Sequence, residues 1–304
     1  MIIANLLLGL SLAATAPVGL VPAVSAGGPE VEWTAPARFI AGQPYEVNVR
    51  ITSPEDGTVV AAWLLTPSAF TVGGTPLGRR EDTGTVHLPK GFVLEGKVDL
   101  AAHITATSSF DLGYASEILG EDSVKVEVLT LAPAGLNFME VDAATLANYQ
   151  VLLQTSQGDI MVKFWPEIAP NHVRNFLDLS STGFYEGTIF HRVIPGFMIQ
   201  GGDPTGTGTG DGPRQVKAEF SQDVHHTPGV LSMARSASPD SASCQFFIMH
   251  AAYPSLDGKY SAFGELVSGA EVVDAIARTP ANQSRPKAKQ VIKRTLVIQV
   301  EGDK

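Results

Sequence analysis

The chain is 304 residues long, 44% apolar and 17% charged, a globular composition with room for two modest domains rather than one disordered tail. Of its formal charge of −10, residues 1–149 carry −9, from 7 Lys and Arg against 16 Asp and Glu, while residues 150–304 carry −1, from 14 against 15. An acidic surface repels phosphate backbones and anionic lipid, which sets aside nucleic-acid binding and charge-driven membrane binding.

Residues 1–26 contain no charged side chain, run through Leu6-Leu7-Leu8 and Leu10, and end in the small-residue stretch Ala23-Val24-Ser25-Ala26. This pattern reads as a secretory signal peptide, so the mature protein is expected in the periplasm or outside the cell, with no membrane segment once the peptide is removed. A membrane anchor is the rival reading, but Pro17 and Pro22 would break a spanning helix. The only cysteine, Cys244, has no partner for an internal disulfide and stands before the apolar run Phe246-Phe247-Ile248, where a thiol usually serves as a small hydrophobe.

Residues 27–131 read as strand after strand. Tyr45, Val47, Val49 and Ile51 alternate with polar residues; Phe92, Leu94, Val98 and Leu100 keep the same period, as do Val124, Val126 and Val128. Turn clusters such as Ser53-Pro54-Glu55-Asp56-Gly57 separate them, which fits an antiparallel β-sandwich. Residues 132–149 read as a linker in which Asp142 caps a helical turn. A second domain, 150–304, opens with a strand at Val151–Thr155 and another through Ile160, Val162 and Phe164. Pro170 then starts a helix whose Val173, Phe176 and Leu177 share a face. A second helix begins near Ser268, where Ser268 and Glu271 have capping-box spacing. The total is two helices and about eight strands.

The stretch Phe190–Pro204, FHRVIPGFMIQGGDP, sets one cation, Arg192, among apolar side chains. A buried hairpin with Arg192 reaching to solvent is the bland explanation. Two further blocks, LSMARSASPDSASCQFFI (231–248) and LDGKY (256–260), add apolar and polar residues in a consistent order. His191 is adjacent to Arg192 and so faces the other side of a strand, which marks it as structural. Gly206-Thr207-Gly208-Thr209-Gly210 lacks the lysine and helix of a phosphate loop and is expected at a pocket rim. His225-His226 has no spaced third ligand and is expected as a solvated pair.

Together the three blocks resemble the cyclophilin family of peptidyl-prolyl isomerases, in its bacterial branch, over about residues 150–300. The resemblance implies a mainly β fold, an eight-stranded closed barrel with a helix over each end, and an enzyme that interconverts cis and trans X-Pro bonds with no cofactor or metal. It places the catalytic arginine at Arg192, with Phe197 and Gln200 beside it, and substrate-binding positions at Met198, Ala234, Arg235, Gln245, Phe247, Leu256 and Tyr260. Its implied partners are proline-containing peptides and folding proteins. Ser255 stands where many members have tryptophan, which implies weak binding of cyclosporin; Tyr260 stands where they have histidine and can still present an aromatic face and a hydroxyl to the pocket. Separately, PARFIAGQPYEVNVRIT resembles bacterial immunoglobulin-like modules, a likeness that carries no functional residue. The rival functions are a non-catalytic proline-peptide chaperone or scaffold, and a protein whose sandwich domain is the working part.

Overall fold

The computed structural model describes residues 17–18, 29–79, 84–115 and 123–300, which fall into two compact units meeting between Thr130 and Leu131. The expected signal peptide lies outside the described residues except for 17–18, which pair antiparallel with 36 and 35. Among the described residues no helix is long and apolar enough to cross a membrane.

In the N-terminal unit, β1 (Glu30–Pro36), β3 (Glu46–Thr52) and β7 (Val93–Asp99) form one antiparallel sheet. A second sheet runs β5 (Phe70–Val72), β8 (Phe110–Tyr114), β9 (Ser123–Leu131), with β2 (Arg38–Ile40) added parallel to β9. A separate ribbon pairs β4 (Thr58–Ala61) with β6 (Thr85–Leu88). The inward residues of both sheets share one apolar core around Trp33, Phe70 and Tyr114. Alternation decides it: Tyr45, Val47, Val49 and Ile51 are buried while Glu46, Asn48 and Arg50 are exposed. Phe92, expected to be half-buried in line with Leu94, precedes β7 and is exposed.

The second unit begins earlier than a tether would allow. Residues 132–149 contain the expected turn, a 3-10 helix at Ala143–Asn148 whose N-cap Asp142 accepts from the Ala144 N–H. The segment is not a free linker, because Phe138 and Leu146 are fully buried in this unit's core and Ala132, Leu136 and Val141 pack against it. Besides a short ribbon pairing 281–282 with 285–286, eight strands build the main sheet of this unit: β10 (Tyr149–Thr155), β11 (Asp159–Phe164), β12 (Arg192–Ile194), β13 (Met198–Gly201), β14 (Val230–Met233), β15 (Phe246–Met249), β16 (Ala262–Ser268) and β17 (Ile292–Gln299). They pair antiparallel in the spatial order β12, β13, β15, β14, β16, β11, β10, β17. Residues just before β12 then bond those leading into β17, with Phe190 N–H to Gln290 O at 2.8 Å and Ile292 N–H to Thr188 O at 2.9 Å.

Two helices pack on this sheet. The first, α1 (Pro170–Ser181), has Pro170 at N1 and buries Val173, Phe176 and Leu177. Its N-cap is Ala169, which cannot cap; Glu219 instead accepts from the backbone N–H groups of Asn171 and His172. The second, α2 (Ala270–Ala277), starts where expected but without the capping box. Gly269 is the N-cap at φ 94° and Ser268 still belongs to β16. A side chain at 269 would strike the backbone of Asp159 and Ile160, so close passage over β11, not local capping, sets this helix start.

Candidate active site

The pocket arises from one row of residues that crosses four strands. Register places Arg192 of β12 opposite Gln200 of β13, Gln200 opposite Phe247 of β15, and Phe247 opposite Ser232 of β14. Directly paired residues share a face, so these side chains emerge together on one side of the sheet. Their neighbours Val193, Ile199, Phe246, Ile248 and Leu231 point the other way into the core. Phe246 there meets Phe176 edge-on at 5.1 Å and Tyr185 at 5.4 Å, and is core.

On the pocket side a cavity of about 130 Å³ is lined by Arg192, Phe197, Met198, Gln200, Ala234, Arg235, Phe247, Leu256 and Tyr260. Nine of the ten residues singled out from the sequence thus meet at one site. The tenth, Gln245, lies behind it: Gln200 Nε2 donates to Gln245 Oε1 at 3.0 Å, and Gln245 Nε2 donates to Gly210 O at 2.9 Å. Arg192 Nη1 donates to Gln200 Oε1 at 3.3 Å, so a chain of amides orients the exposed guanidinium from below. Its carbon sits 5.9 Å from the Phe197 ring centre. Met198 and Phe247 are buried, leaving a cation above an apolar floor.

The far wall is built by the 234–235 and 256–260 blocks. Arg235 stacks over Tyr260 at 4.7 Å and donates to Lys259 O at 2.9 Å, while Tyr260 meets Phe247 edge-on at 5.8 Å. Ser255 is exposed and does not line the cavity.

Several expectations need correction. The histidine pair is not jointly solvated: His225 is exposed, but His226 is buried, stacks on Phe247 at 6.1 Å, and hydrogen-bonds Asp257 and Ser232 through its two ring nitrogens. The Asp257 carboxyl falls to about 2, held down chiefly by the His226 backbone N–H and then by the His225 and His226 rings. The 206–210 loop does not line the pocket either. It closes on Asp203, a fully buried carboxylate that accepts from the backbone N–H groups of Thr205, Thr207, Gly208 and Gly210 and from Thr205 Oγ1. Burial pushes the Asp203 carboxyl up, and these donors override it, leaving it well below the usual carboxylate range. A side chain at 210 would run into that carboxylate, which explains the glycine. The signal was present in the sequence as an aspartate opening a Gly/Thr alternation, whose many N–H groups need an acceptor.

His191 is buried against the 206–210 loop, and burial first, then the charges of Arg285 and Arg192, depresses its basicity despite Asp203. Cys244 is fully buried, and burial, followed by the charges of Asp203 and Asp211, pushes its thiol up to about 12.

The site is thus a small cavity with an apolar floor and two oriented arginines, Arg192 and Arg235, set on the antiparallel sheet of the second unit. The family described as cyclophilin type peptidyl-prolyl cis-trans isomerase/CLD matches residues 150–297. The chain is 50% identical over 131 residues to peptidyl-prolyl cis-trans isomerase ppi1 of Schizosaccharomyces pombe, covering 42% of this chain and 83% of that protein. It is 41% identical over 154 residues to peptidyl-prolyl cis-trans isomerase CYP18-2 of Arabidopsis thaliana, covering 49% and 93%. A crystal structure of a cyclophilin type isomerase of Cryptosporidium parvum, solved in the presence of the dipeptide Ala-Pro, is 35% identical and covers 51% of this chain and 99% of that one, with a TM-score of 0.47. The chain belongs to the cyclophilin family through its second unit, and it is a peptidyl-prolyl cis-trans isomerase.

Proposed function

We propose that Arg192 catalyses the rotation by donating a hydrogen bond to the prolyl nitrogen of a bound X-Pro peptide. The barrier, roughly 18–20 kcal/mol, exists because the nitrogen lone pair is delocalised into the carbonyl. A donor aimed at that nitrogen localises the pair and favours the twisted amide, and lowering the barrier by about 7 kcal/mol accelerates the step on the order of 10⁵-fold. Guanidinium suits the task because it donates without changing its charge state. Phe197, Met198, Phe247 and Leu256 hold the pyrrolidine ring. Gln200, braced from behind by Gln245, orients the cation and meets the substrate backbone, with Ala234, Arg235 and Tyr260 lining the preceding residues. The observation that carries this reading is the row Arg192, Gln200, Phe247, which sets the only cation on the pocket side of β12, β13 and β15 over an apolar floor.

The wider setting follows the same reading. The hydrogen bonds from 187–190 to 290–292 support an eight-stranded barrel that closes on itself, and the two-sheet N-terminal unit supports an immunoglobulin-like module. The uncharged, small-residue-terminated start supports export and a role in folding outside the cytoplasm. Clients are proline-containing segments of folding proteins.

Two measurements test this. Arg192→Ala should lower kcat/KM for a short X-Pro peptide, read by NMR exchange, by at least about a hundredfold, roughly 2.7 kcal/mol of transition-state stabilisation. A folded variant with near-normal exchange would remove Arg192 from the mechanism. Intact mass of protein recovered from its native compartment should lack residues 1–26; full-length protein in the cytoplasm would remove the export reading.

A further inference from the structure

The hairpin tip that carries Phe197 into the pocket is held from behind by a histidine outside it. Between β12 and β13 the chain turns through Pro195, Gly196 and Phe197, with Gly196 at φ 78°. Gly196 N–H donates to His250 Nδ1 at 3.0 Å. The backbone N–H groups of His250 and Ala251 both reach Phe197 O, at 2.8 Å and 3.3 Å. On the other side of the ring, His250 Nε2 lies 2.8 Å from Asp274 Oδ1 of α2, and Arg278 Nε grips both oxygens of that carboxylate at 2.7 and 2.8 Å.

These contacts select one form of the imidazole. Hydrogen bonds from His250 and Arg278 hold the Asp274 carboxyl below its ordinary range, so it accepts only, and Nε2 must carry the proton. Nδ1 is then the lone-pair site, the form that can receive the Gly196 N–H. His250 and Asp274 line a cavity of about 360 Å³, where, among the described residues, the other charged group is Glu265 of β16, paired with Lys163 at 3.0 Å. His250 thus ties α2 to the loop that presents Phe197, whose ring touches Tyr253 at 4.4 Å and lies under Arg192.

We infer that His250 is a positioning residue for the isomerase: as the Nε2–H tautomer clamped by Asp274, it fixes the Gly196-Phe197 tip and so sets the wall against which the proline ring is bound. The inference rests on reading that pocket as the X-Pro site. Since Phe197 contacts the ring before and during rotation, loosening it weakens both states alike and appears in KM more than in kcat.

Asparagine places its Oδ1 close to the position of Nδ1, whereas glutamine reaches toward Asp274 and leaves Gly196 without its acceptor. His250→Gln should raise KM for the X-Pro peptide about five- to tenfold with kcat within about twofold, and should speed hydrogen exchange of the Gly196 amide. His250→Asn should retain wild-type KM and a protected Gly196 amide. The two variants behaving alike, or a loss confined to kcat, overturns the clamp. Should His250→Gln fail to fold, long-range ¹H–¹⁵N correlation on the wild type decides the matter, because an Nδ1–H tautomer at His250 overturns it outright. Failure of the pocket assignment would look different: Arg192→Ala would leave turnover intact while tautomer and amide protection stayed as described.

Discussion

In the N-terminal unit the polar tips of the buried tyrosines are tied to backbone carbonyls, Tyr45 Oη donating to Pro36 O at 2.7 Å and Tyr114 Oη to Leu64 O at 2.8 Å. Rings close on rings, with Trp33 stacked on Tyr114 at 5.9 Å and edge-on to Phe70 at 6.2 Å. The second unit builds its core in the same way, around Phe176, Tyr185 and Phe246, but one face of β12, β13 and β15 carries a second set of side chains that the core does not use. There Arg192 has, among the described residues, a single hydrogen bond, to Gln200. The same two-residue alternation yields a closed core in one unit and a pocket in the other. What differs is that the outward positions in the second unit are apolar and cationic rather than merely soluble.

The largest effect that separates the units should come from Trp33→Ala, which removes the hub of the N-terminal core and should destabilise that unit by about 3–5 kcal/mol. X-Pro turnover should not change. Chemical denaturation followed alongside peptide kinetics checks both halves, and a parallel loss of turnover would mean that the two units are energetically coupled.

A middle-sized effect belongs to Asp203. Replacing it with asparagine exchanges an acceptor of several N–H bonds for a group with one acceptor oxygen and should cost about 1–3 kcal/mol in the second unit. The pH dependence follows from its depressed folded-state carboxyl. Its stabilisation is fully present above the unfolded value of about 3.9 and is lost as pH falls through and below that value. Urea midpoints between pH 6 and 3 should therefore drop for the wild type more steeply than for Asp203→Asn. Equal slopes would show that the loop, not the carboxylate, governs acid sensitivity.

These two regions were not equally legible. Alternation at Tyr45–Ile51 and the face of Val173, Phe176 and Leu177 announced elements, because strand and helix periods are local. The pocket set was found through its likeness to a family; the register of β12, β13 and β15 placed Arg192, Met198, Gln200 and Phe247 around one cavity, and the hairpin tip at Phe197 and the 234–235 and 256–260 blocks brought the other five. Partners that are distant in sequence left no pattern to read. Glu219 caps α1 from 47 residues away, Asp257 buries His226 from 31 away, and Phe138 joins a core whose strands had not yet begun. The failed capping box at Ser268 has the same cause, since the approach of 269 to Asp159 is set by tertiary packing.

The smallest expected effect concerns Ser255, exposed at the edge of the far wall. Ser255→Trp adds an indole donor and apolar area there and should tighten cyclosporin by at least about 1.4 kcal/mol, tenfold in affinity, with peptide turnover within a few-fold. Calorimetric titration with matched kinetics reads both. Nanomolar cyclosporin binding by the unaltered protein would show that position 255 does not limit the inhibitor.

The lone thiol has a practical consequence. Cys244 is the only cysteine in the chain, and it sits in the core of the isomerase unit with its proton held up to about 12. An alkylating reagent can reach it only when that unit opens, and the exposed thiolate then reacts irreversibly. Labelling kinetics on the native protein therefore time the opening of the catalytic half alone, giving a built-in clock for one unit of a two-unit chain with no engineered probe.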